Sequence, residues 1–251
     1  MYRVLTAASL FILVLSLLLV AGCKDGEPLT DLEQFLARTE VLSGEALDDT
    51  LRTLAAGSPP YSVFANYVIG NRFYMAAGDS ALAVGWDGGT VAALLDSAET
   101  YFTYCVEQDS TFIEALVNLG SLWDDRAQVM SARSQRDQKL DIARSFYEKA
   151  LVVDPTDEKA LCNLGSLHLA QRKTGQALKY FQKVLDHNPD SALAHYNMAI
   201  MFAEAKIYRE AIHEWELAAK CDPNGDIGGR SRDNIKIVND LMNSPDPDLT
   251  K

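Results

Sequence analysis

The chain has 251 residues, of which 48% are hydrophobic and 23% charged, so its composition is that of a globular protein rather than a disordered or collagen-like one. Its formal net charge of -12 argues against nucleic-acid binding, because contacts with phosphates require clustered Lys and Arg side chains. The four Cys residues are too few for a disulfide-stabilised scaffold, and none stands in a Cys-x-x-Cys pair.

The first 22 residues predict a secretory signal. Arg3 is followed by an apolar run over 4–20 and then by small residues. The run is also about long enough for a retained membrane span, since roughly 20 apolar residues cross a bilayer. Its ending favours removal, because Val20-Ala21-Gly22-Cys23 resembles the lipobox of bacterial lipoproteins. That resemblance implies cleavage of 1–22 and lipidation of Cys23.

The lipobox resemblance also implies a cellular location. A chain lipidated at Cys23 would be anchored in the bacterial membrane and would face the periplasm. Lys24 stands where lipoproteins kept at the inner membrane tend to carry Asp, so the resemblance favours the outer membrane. Residues 23–28 are short and polar, and we expect them to act as a lipidated tether.

A pair of short helices is predicted at 29–57. Thr30 and Glu33 match a capping box, in which each side chain accepts a hydrogen bond from the other residue's backbone. Apolar residues then recur at helical spacing as far as Gly57, where a Gly-Ser-Pro-Pro sequence stops the helix.

The remainder of the chain repeats itself with a period of 34. Fixed periods of this length mark stacked supersecondary units. The clearest copies contain Leu161-x-x-Leu164-Gly165-x-x-His168, Ala177-x-x-x-Phe181 and Pro189, matched 34 positions later by His195-x-x-Met198-Ala199-x-x-Phe202, Ala211-x-x-x-Trp215 and Pro223. This pattern resembles the tetratricopeptide repeat (TPR), which implies two antiparallel helices per repeat. We therefore predict repeats at 158–191 and 192–225.

Two earlier copies carry insertions. A degenerate repeat at 61–112, with Gly70 and Phe102 at signature positions, has sixteen extra residues between its helices. Several glycines over 78–89 predict that this insertion is a loop around Trp86, because Gly weakens helices.

The next repeat, at 113–157, is eleven residues longer than the period. Its insertion at 126–139 lacks Gly and Pro, which predicts that both helices lengthen by roughly a turn and a half. The insertion is basic, and its cations either dock a partner or form an ordinary solvated face. They are Arg126, Arg133, Arg136 and Lys139.

The C-terminal region predicts a capping helix at 226–243, where Ile235, Val238 and Leu241 recur at helical spacing, and a disordered tail at 244–251. The predicted fold is an all-α, right-handed superhelical TPR solenoid, flanked by the N-terminal helix pair and the capping helix.

The sequence shows no enzyme signature. G-x-S-x-G, a phosphate loop and H-E-x-x-H are all missing. Asp222-x-Asn224-x-Asp226 resembles the start of a calcium loop, but Ile227 occupies the position that requires Gly. We therefore expect neither catalysis nor a cofactor nor a metal. A disulfide between Cys162 and Cys221 stays open at this stage.

Protein binding is the function that the TPR resemblance implies, because the first helices of successive repeats line a concave groove. An amide both donates and accepts, so the Asn residues that share one repeat position either grip the backbone of an extended peptide or serve packing. Lys159 stands without the further groove cations that some relatives use to clamp a carboxylate. The side chains expected to line the groove are Asn118, Asn163, Asn197, Tyr67, Tyr74, Tyr196 and Lys159.

We therefore expect a membrane-anchored interaction scaffold of the bacterial envelope that binds a peptide or helix of another envelope protein. The alternative is an adaptor that presents substrates to an envelope protease or peptidoglycan hydrolase, or that assists assembly of pili or outer-membrane proteins. The identity of the partner and the oligomeric state do not follow from the sequence.

Overall fold

The computed structural model describes residues 30–39 and 41–243. Within these ranges every regular element is an α-helix and no strand occurs, so the predicted all-α fold is confirmed. The predicted signal 1–22, the lipidation site Cys23, the tether 23–28 and the tail 244–251 lie outside the described residues.

The described helices follow one another through short connections. They are α1 (Asp31–Thr39), α2 (Gly44–Ala55), α3 (Tyr61–Val84), α4 (Gly89–Gln108), α5 (Ile113–Gln128), α6 (Arg133–Val153), α7 (Glu158–Ala170), α8 (Thr174–His187), α9 (Ala192–Glu204), α10 (Tyr208–Cys221) and α11 (Asp226–Asn243). None of these helices combines the length and the apolar character needed to cross a bilayer. The chain divides into two compact units, Met1–Ala143 and Arg144–Lys251.

Helix α1 of the first unit begins with the predicted capping box, which is confirmed. The backbone N–H of Thr30 donates to Glu33 Oε2 at 2.7 Å, and the N–H of Glu33 donates to Thr30 Oγ1 at 3.3 Å. These bonds satisfy N–H groups that have no partner inside the helix. The apolar side of α1 packs against α2 and α3 through a core formed by Phe35, Leu51 and Ala65.

Helices α3 and α4 form a closely packed hairpin at a glycine. A Cβ atom placed on Gly70 would lie 2.8 Å from Cε1 of Phe102, closer than real Cβ atoms approach other atoms. The Phe102 ring is fully buried. The absence of a side chain at residue 70 therefore makes room for the aromatic ring of the second helix.

The prediction of a loop over 78–89 is wrong. Helix α3 continues through Gly78 to Val84, and only residues 85–88 connect it to α4. Ala77 and Ala81 are buried on this part of α3. An isolated helical Gly costs about 1 kcal/mol relative to Ala, and this packing outweighs that cost. The helix ends at Gly85, whose φ of +86° is accessible to glycine.

The second insertion lengthens the helices of its repeat unequally. Helices α5 and α6 have 16 and 21 residues, against 13 and 14 in α7 and α8 of the next repeat. Most of the added length therefore lies in α6. The chain leaves the helical conformation over 129–132, although that segment contains neither Gly nor Pro.

The second unit repeats its backbone geometry at the predicted period. Arg172 and Lys206, which are 34 positions apart, both have φ of +59°. Immediately after them, the N–H of Lys173 donates to His168 O, and the N–H of Ile207 donates to Phe202 O, each at 2.9 Å. Such bonds satisfy carbonyl groups left open at the end of a helix. The first helix of each repeat therefore ends in the same way.

The core of the second unit follows the same repeat. A Cβ on Gly165 would lie 2.3 Å from Cε1 of Phe181, so these residues of α7 and α8 meet as Gly70 and Phe102 do in the first unit. One repeat later, Ala199 and Trp215 belong to a single buried cluster with Val238 of α11. Helix α11 thus covers apolar surface of α9 and α10.

The described cysteines are all free thiols. Cys105 and Cys162 are buried, and Cys221 is partly exposed. The Cys162–Cys221 pairing that the sequence left open is therefore not formed. Burial raises the pKa of Cys105 to about 12, so this thiol stays protonated and inert.

Candidate functional site

Two predicted groove residues of the first unit, Tyr67 and Asn118, form a hydrogen-bonded group with Asn71, which we call the amide cluster. Asn118 Nδ2 on α5 donates to Asn71 Oδ1 at 2.7 Å and to the Tyr67 hydroxyl at 3.3 Å, both on α3. Among the described residues, Asn118 Oδ1 makes no hydrogen bond. The cluster therefore fixes an amide on the first helix of one repeat against the first helix of the preceding repeat and leaves an acceptor unused.

Aromatic packing holds the amide cluster in place. The ring centroid of Tyr67 lies 5.9 Å from that of Phe102 and 4.9 Å from that of Phe112. Burial raises the pKa of Tyr67 to about 12, while hydrogen bonding with Asn71 and, less strongly, with Asn118 acts in the opposite direction. The hydroxyl group consequently stays neutral near physiological pH.

A second hydrogen bond joins α3 and α5 along the same faces. The Tyr74 hydroxyl donates to Asp125 Oδ2 at 2.5 Å. Tyr67, Asn71 and Tyr74 are spaced by four and three residues, and Asn118 and Asp125 by seven, so each set lies on one face of its helix. Two of the predicted groove residues, Tyr67 and Tyr74, thus flank Asn71 on one stripe.

The two predicted Asn residues of the second unit have different surroundings. Asn163 is 3% exposed and lies inside its repeat. Asn197 is partly buried, and its Nδ2 has no hydrogen-bond partner among the described residues. An unpaired buried donor costs free energy, but this atom is inaccessible to solvent, so a ligand oxygen reaches it only after the side chain turns outward. The predicted gripping role is therefore open to Asn118 in its present conformation and to Asn197 only after its side chain turns.

Tyr196 and Lys159, the remaining predicted groove residues, differ in exposure. Helix α11 engages Tyr196, because Asn234 Nδ2 donates to its hydroxyl at 3.3 Å and the Arg230 guanidinium lies 5.1 Å from its ring centroid. Lys159 is exposed near the start of α7. Tyr196 thus belongs to the first helix of the last repeat, α9, and its side chain contacts the capping helix, α11.

Sequence reasoning missed the partners of these residues. Asn71 follows Gly70 and lies outside the repeat position that Asn118 occupies, so the period gave no reason to select it. The available signal was its spacing of four from Tyr67, which places both on one helical face.

His168 and His195 have structural contacts. His168 stacks on Tyr180 with ring centroids 5.3 Å apart, and burial, with Lys173 and Arg144 adding to it, lowers the pKa of His168. His195 Nδ1 lies 2.7 Å from Glu214 Oε2, and Nε2 lies 3.1 Å from the carbonyl oxygen of Pro189. No group of three His, Cys, Asp or Glu residues in the described part of the chain is placed to hold a metal ion.

Comparison with known proteins identifies the repeat. Residues 162–226 match the family model described as tetratricopeptide repeat. Anaphase-promoting complex subunit 7 of Arabidopsis thaliana is 26% identical over 108 residues, which are 43% of this chain and 19% of that protein, so the chain spans about a fifth of this relative's length.

Two solved structures, titled crystal structures of MamA and of MamA protein, align with 64% and 67% of this chain and with 86% and 80% of their own chains. They are 19% and 20% identical to it, with TM-scores of 0.38 and 0.40. Residues 162–226 therefore carry the tetratricopeptide repeat, in the hairpins of α7 with α8 and of α9 with α10, a fold that supports binding of other proteins.

Proposed function

We propose that this protein is a membrane-anchored, non-catalytic interaction scaffold of the bacterial cell envelope. The first helices of its repeats bind an extended peptide or a helix of another envelope protein. The amide cluster is the observation that carries the binding part of the proposal. Asn71 and Tyr67 hold the Asn118 amide in one orientation, so little conformational freedom remains to be lost when a ligand binds.

The chemistry of the amides suits a peptide backbone. Asn118 Oδ1 can accept from a peptide N–H. Donation from Asn197 Nδ2 to a peptide carbonyl requires the side chain to turn outward, because that atom is buried and unpaired. Each group acts within its own unit. Backbone recognition of this kind does not depend on the ligand's side chains, so specificity requires neighbouring groups such as Tyr74.

The anchoring part of the proposal rests on the sequence. Val20-Ala21-Gly22-Cys23 supports lipidation of Cys23, and Lys24 supports sorting to the outer membrane. A lipid anchor would keep the repeats at the membrane surface, where other envelope proteins are concentrated.

The groove is tested by replacing both amides. In N118A/N197A we expect the yield of partners crosslinked in intact cells to fall about tenfold, because each lost hydrogen bond weakens binding by roughly two- to tenfold. Mass spectrometry would quantify the crosslinked proteins, and circular dichroism would check that the variant stays helical.

The matched control for this experiment is N239A, which removes an exposed amide from α11. Its crosslinking yield should equal that of the wild-type protein. Undiminished capture by a folded N118A/N197A variant would rule out the proposed use of the amides.

A further inference from the structure

The amide cluster leaves one donor and one acceptor unused. The Tyr67 hydroxyl accepts a hydrogen bond from Asn118 Nδ2, and among the described residues no group accepts the proton of that hydroxyl. Asn118 Oδ1 also makes no hydrogen bond in this part of the chain. In an extended peptide, the C=O and N–H of one residue point to the same side, as they do in a β-ladder. The donor of Tyr67 and the acceptor of Asn118 therefore match the main chain of one ligand residue.

A carboxylate stands one helical turn before Asn118. Glu114 and Asn118 are four residues apart on α5, which places their Cβ atoms about 5–6 Å apart on one face. Glu114 is exposed, and among the described residues no cation forms an ion pair with it. Burial is the main cause of the raised pKa of Tyr67, and the charge of Glu114 adds to it, so the carboxylate lies near the cluster. A ligand held by Tyr67 and Asn118 therefore meets a negative charge.

The arginines of α3 and α5 are already paired with carboxylates of other helices. Arg72, on α3, pairs with Asp48 of α2. Arg126, on α5, pairs with Asp96 and Glu99 of α4. The two helices contain no other Lys, Arg or His. The face of α3 and α5 that carries the amide cluster consequently attracts a cationic ligand and repels an anionic one.

Asp125, further along the same face of α5, has different surroundings. It accepts a hydrogen bond from the Tyr74 hydroxyl. It also lines a depression together with Arg126 and Lys139, whose positive charges offset its own. Glu114 is therefore the carboxylate of this face that is best placed to pair with a ligand.

Aromatic rings adjoin the carboxylate. Phe112 stands two residues before Glu114, and its ring centroid lies 4.9 Å from that of Tyr67 and 6.4 Å from that of Phe64. All three rings are partly buried, so each keeps some accessible surface. A guanidinium group pairs with a carboxylate through two parallel hydrogen bonds and also stacks on aromatic rings. An ammonium group is a compact, strongly hydrated charge and does neither as well, so arginine suits this site better than lysine.

We propose that the amide cluster binds an extended segment of its partner at an arginine residue. The main chain of that residue bonds with Tyr67 and Asn118, and its guanidinium group pairs with Glu114 against the ring of Phe112. This rests on the proposed function, since it assigns a chemistry to the partner of the same groove. The segment recognised is internal and basic, and a terminal carboxylate plays no part in its binding.

The test compares three peptides that differ at one position, acetyl-Ser-Gly-Xaa-Gly-Ser-amide, in which Xaa is arginine, citrulline or lysine. Citrulline keeps the size and planar head of arginine and carries no charge. Each peptide is titrated into the ¹⁵N-labelled full-length protein in a non-ionic detergent, and the side-chain NH₂ signals of Asn71 and Asn118 are followed. The signals should move saturably, and the arginine peptide should bind about fivefold more tightly than the citrulline peptide, with lysine in between.

Glu114→Gln is the diagnostic variant. It should bind the arginine peptide about fivefold more weakly than the wild-type protein does and bind the citrulline peptide equally well. Glu216→Gln is the matched control, because it removes the same charge from an exposed position of α10 in the second unit. It should keep the preference for arginine. Circular dichroism would check that both variants stay helical.

N118A distinguishes failure of this inference from failure of the proposed function. Followed through the Asn71 signal, it should weaken all three peptides by a similar factor of two to ten, because the main-chain bond is common to them. If N118A did so while the arginine and citrulline peptides bound equally, the groove would bind main chains and the arginine site would be refuted. Lysine binding at least as tight as arginine, indifference to Glu114→Gln, or no saturable movement at millimolar peptide would each overturn it too.

Discussion

Gly165 and Phe181 share a space that two ordinary side chains could not occupy together. A Cβ on Gly165 would lie 2.3 Å from Cε1 of Phe181, whose ring is fully buried. Gly70 and Phe102 repeat this contact in the first unit with a separation of 2.8 Å. At the residue scale, the closeness of the two helices in a repeat depends on a missing side chain.

Gly165→Ala is therefore expected to destabilise the protein. The added methyl group must displace the Phe181 ring within a close-packed core, which should lower the free energy of unfolding by about 1–3 kcal/mol. Urea titration followed by circular dichroism would measure the change.

Gly175→Ala, in α8, is the control for this prediction. A Cβ at residue 175 meets nothing within 4 Å, so its free energy of unfolding should stay within about 1 kcal/mol of the wild-type value. Equal stability of the two variants would show that Gly165 and Phe181 are not closely packed in solution.

These contacts were predictable from the sequence, because the period places a small residue of the first helix opposite an aromatic residue of the second. The amide cluster was predictable only in part. Tyr67 and Asn118 follow from the repeat register, but the hydrogen bond of Asn118 to Asn71 depends on how the faces of α3 and α5 turn toward each other. Interhelical rotation is a tertiary property, and periodicity within one helix does not determine it.

At the scale of helices, the ends are determined by local chemistry. The capping box of Thr30 and Glu33 starts α1, and left-handed residues end α7 and α9 at Arg172 and Lys206. The two hydrogen bonds from Thr30, first from its N–H and then from its hydroxyl, hold the pKa of Glu33 below its usual value.

Helix α1 should consequently fray in acid. Because the pKa of Glu33 is lower in the folded chain, the cap stabilises α1 above the usual pKa of a Glu side chain, and this contribution is lost as the pH falls through the lowered value. Amide hydrogen exchange of residues 31–39, corrected for intrinsic rates, should therefore become faster relative to α7 between neutral pH and about pH 3.

The comparison variant for α1 is Glu33→Gln, which can still accept a hydrogen bond but does not titrate. Its corrected exchange in α1 should depend less on pH. If wild-type and variant chains showed the same pH profile, the acid response would have to come from other carboxylates.

The helix bounds also show the limit of sequence reasoning. Glycine at residue 78 predicted a loop because its cost is local, whereas the packing of Ala77 and Ala81 that outweighs it involves a second helix. The break at 129–132 was missed for the converse reason, since no residue there disfavours a helix. The local preferences of residues therefore predict how many helices form better than they predict how long each helix is.

At the scale of the whole molecule, the proposed membrane location rests on the first residues of the sequence. Among the described helices none is suited to cross a bilayer, and the predicted signal and lipidation site precede them in the sequence. An acidic chain with a net charge of -12 is not drawn to anionic lipids by its overall charge. The proposed anchor is the lipid on Cys23, and the alternative is a retained span over the apolar run 4–20.

Cys23→Ser should abolish lipidation. Cells fed an alkyne-bearing palmitate should label the wild-type protein, and mass spectrometry should show a mature chain that begins at acylated residue 23. The serine variant should carry no label, because a hydroxyl group does not replace the acylated thiol.

Cys221→Ser is the control, since it removes a partly exposed thiol from the second unit. It should be labelled as strongly as the wild-type chain. Label that persisted in Cys23→Ser would place the fatty acid elsewhere, and an unlabelled wild-type chain would argue for a retained span.

The lengthened hairpin of α3 and α4 shows that a repeat can gain residues without losing the contact between its two helices. Gly70 still meets Phe102 although sixteen residues have been added between the two helices. The extended part of α3 is packed on one side by the buried Ala77 and Ala81, while Leu82 and Val84 are exposed on it. One repeat can therefore gain helical length and exposed apolar surface while the glycine–aromatic contact between its two helices is kept.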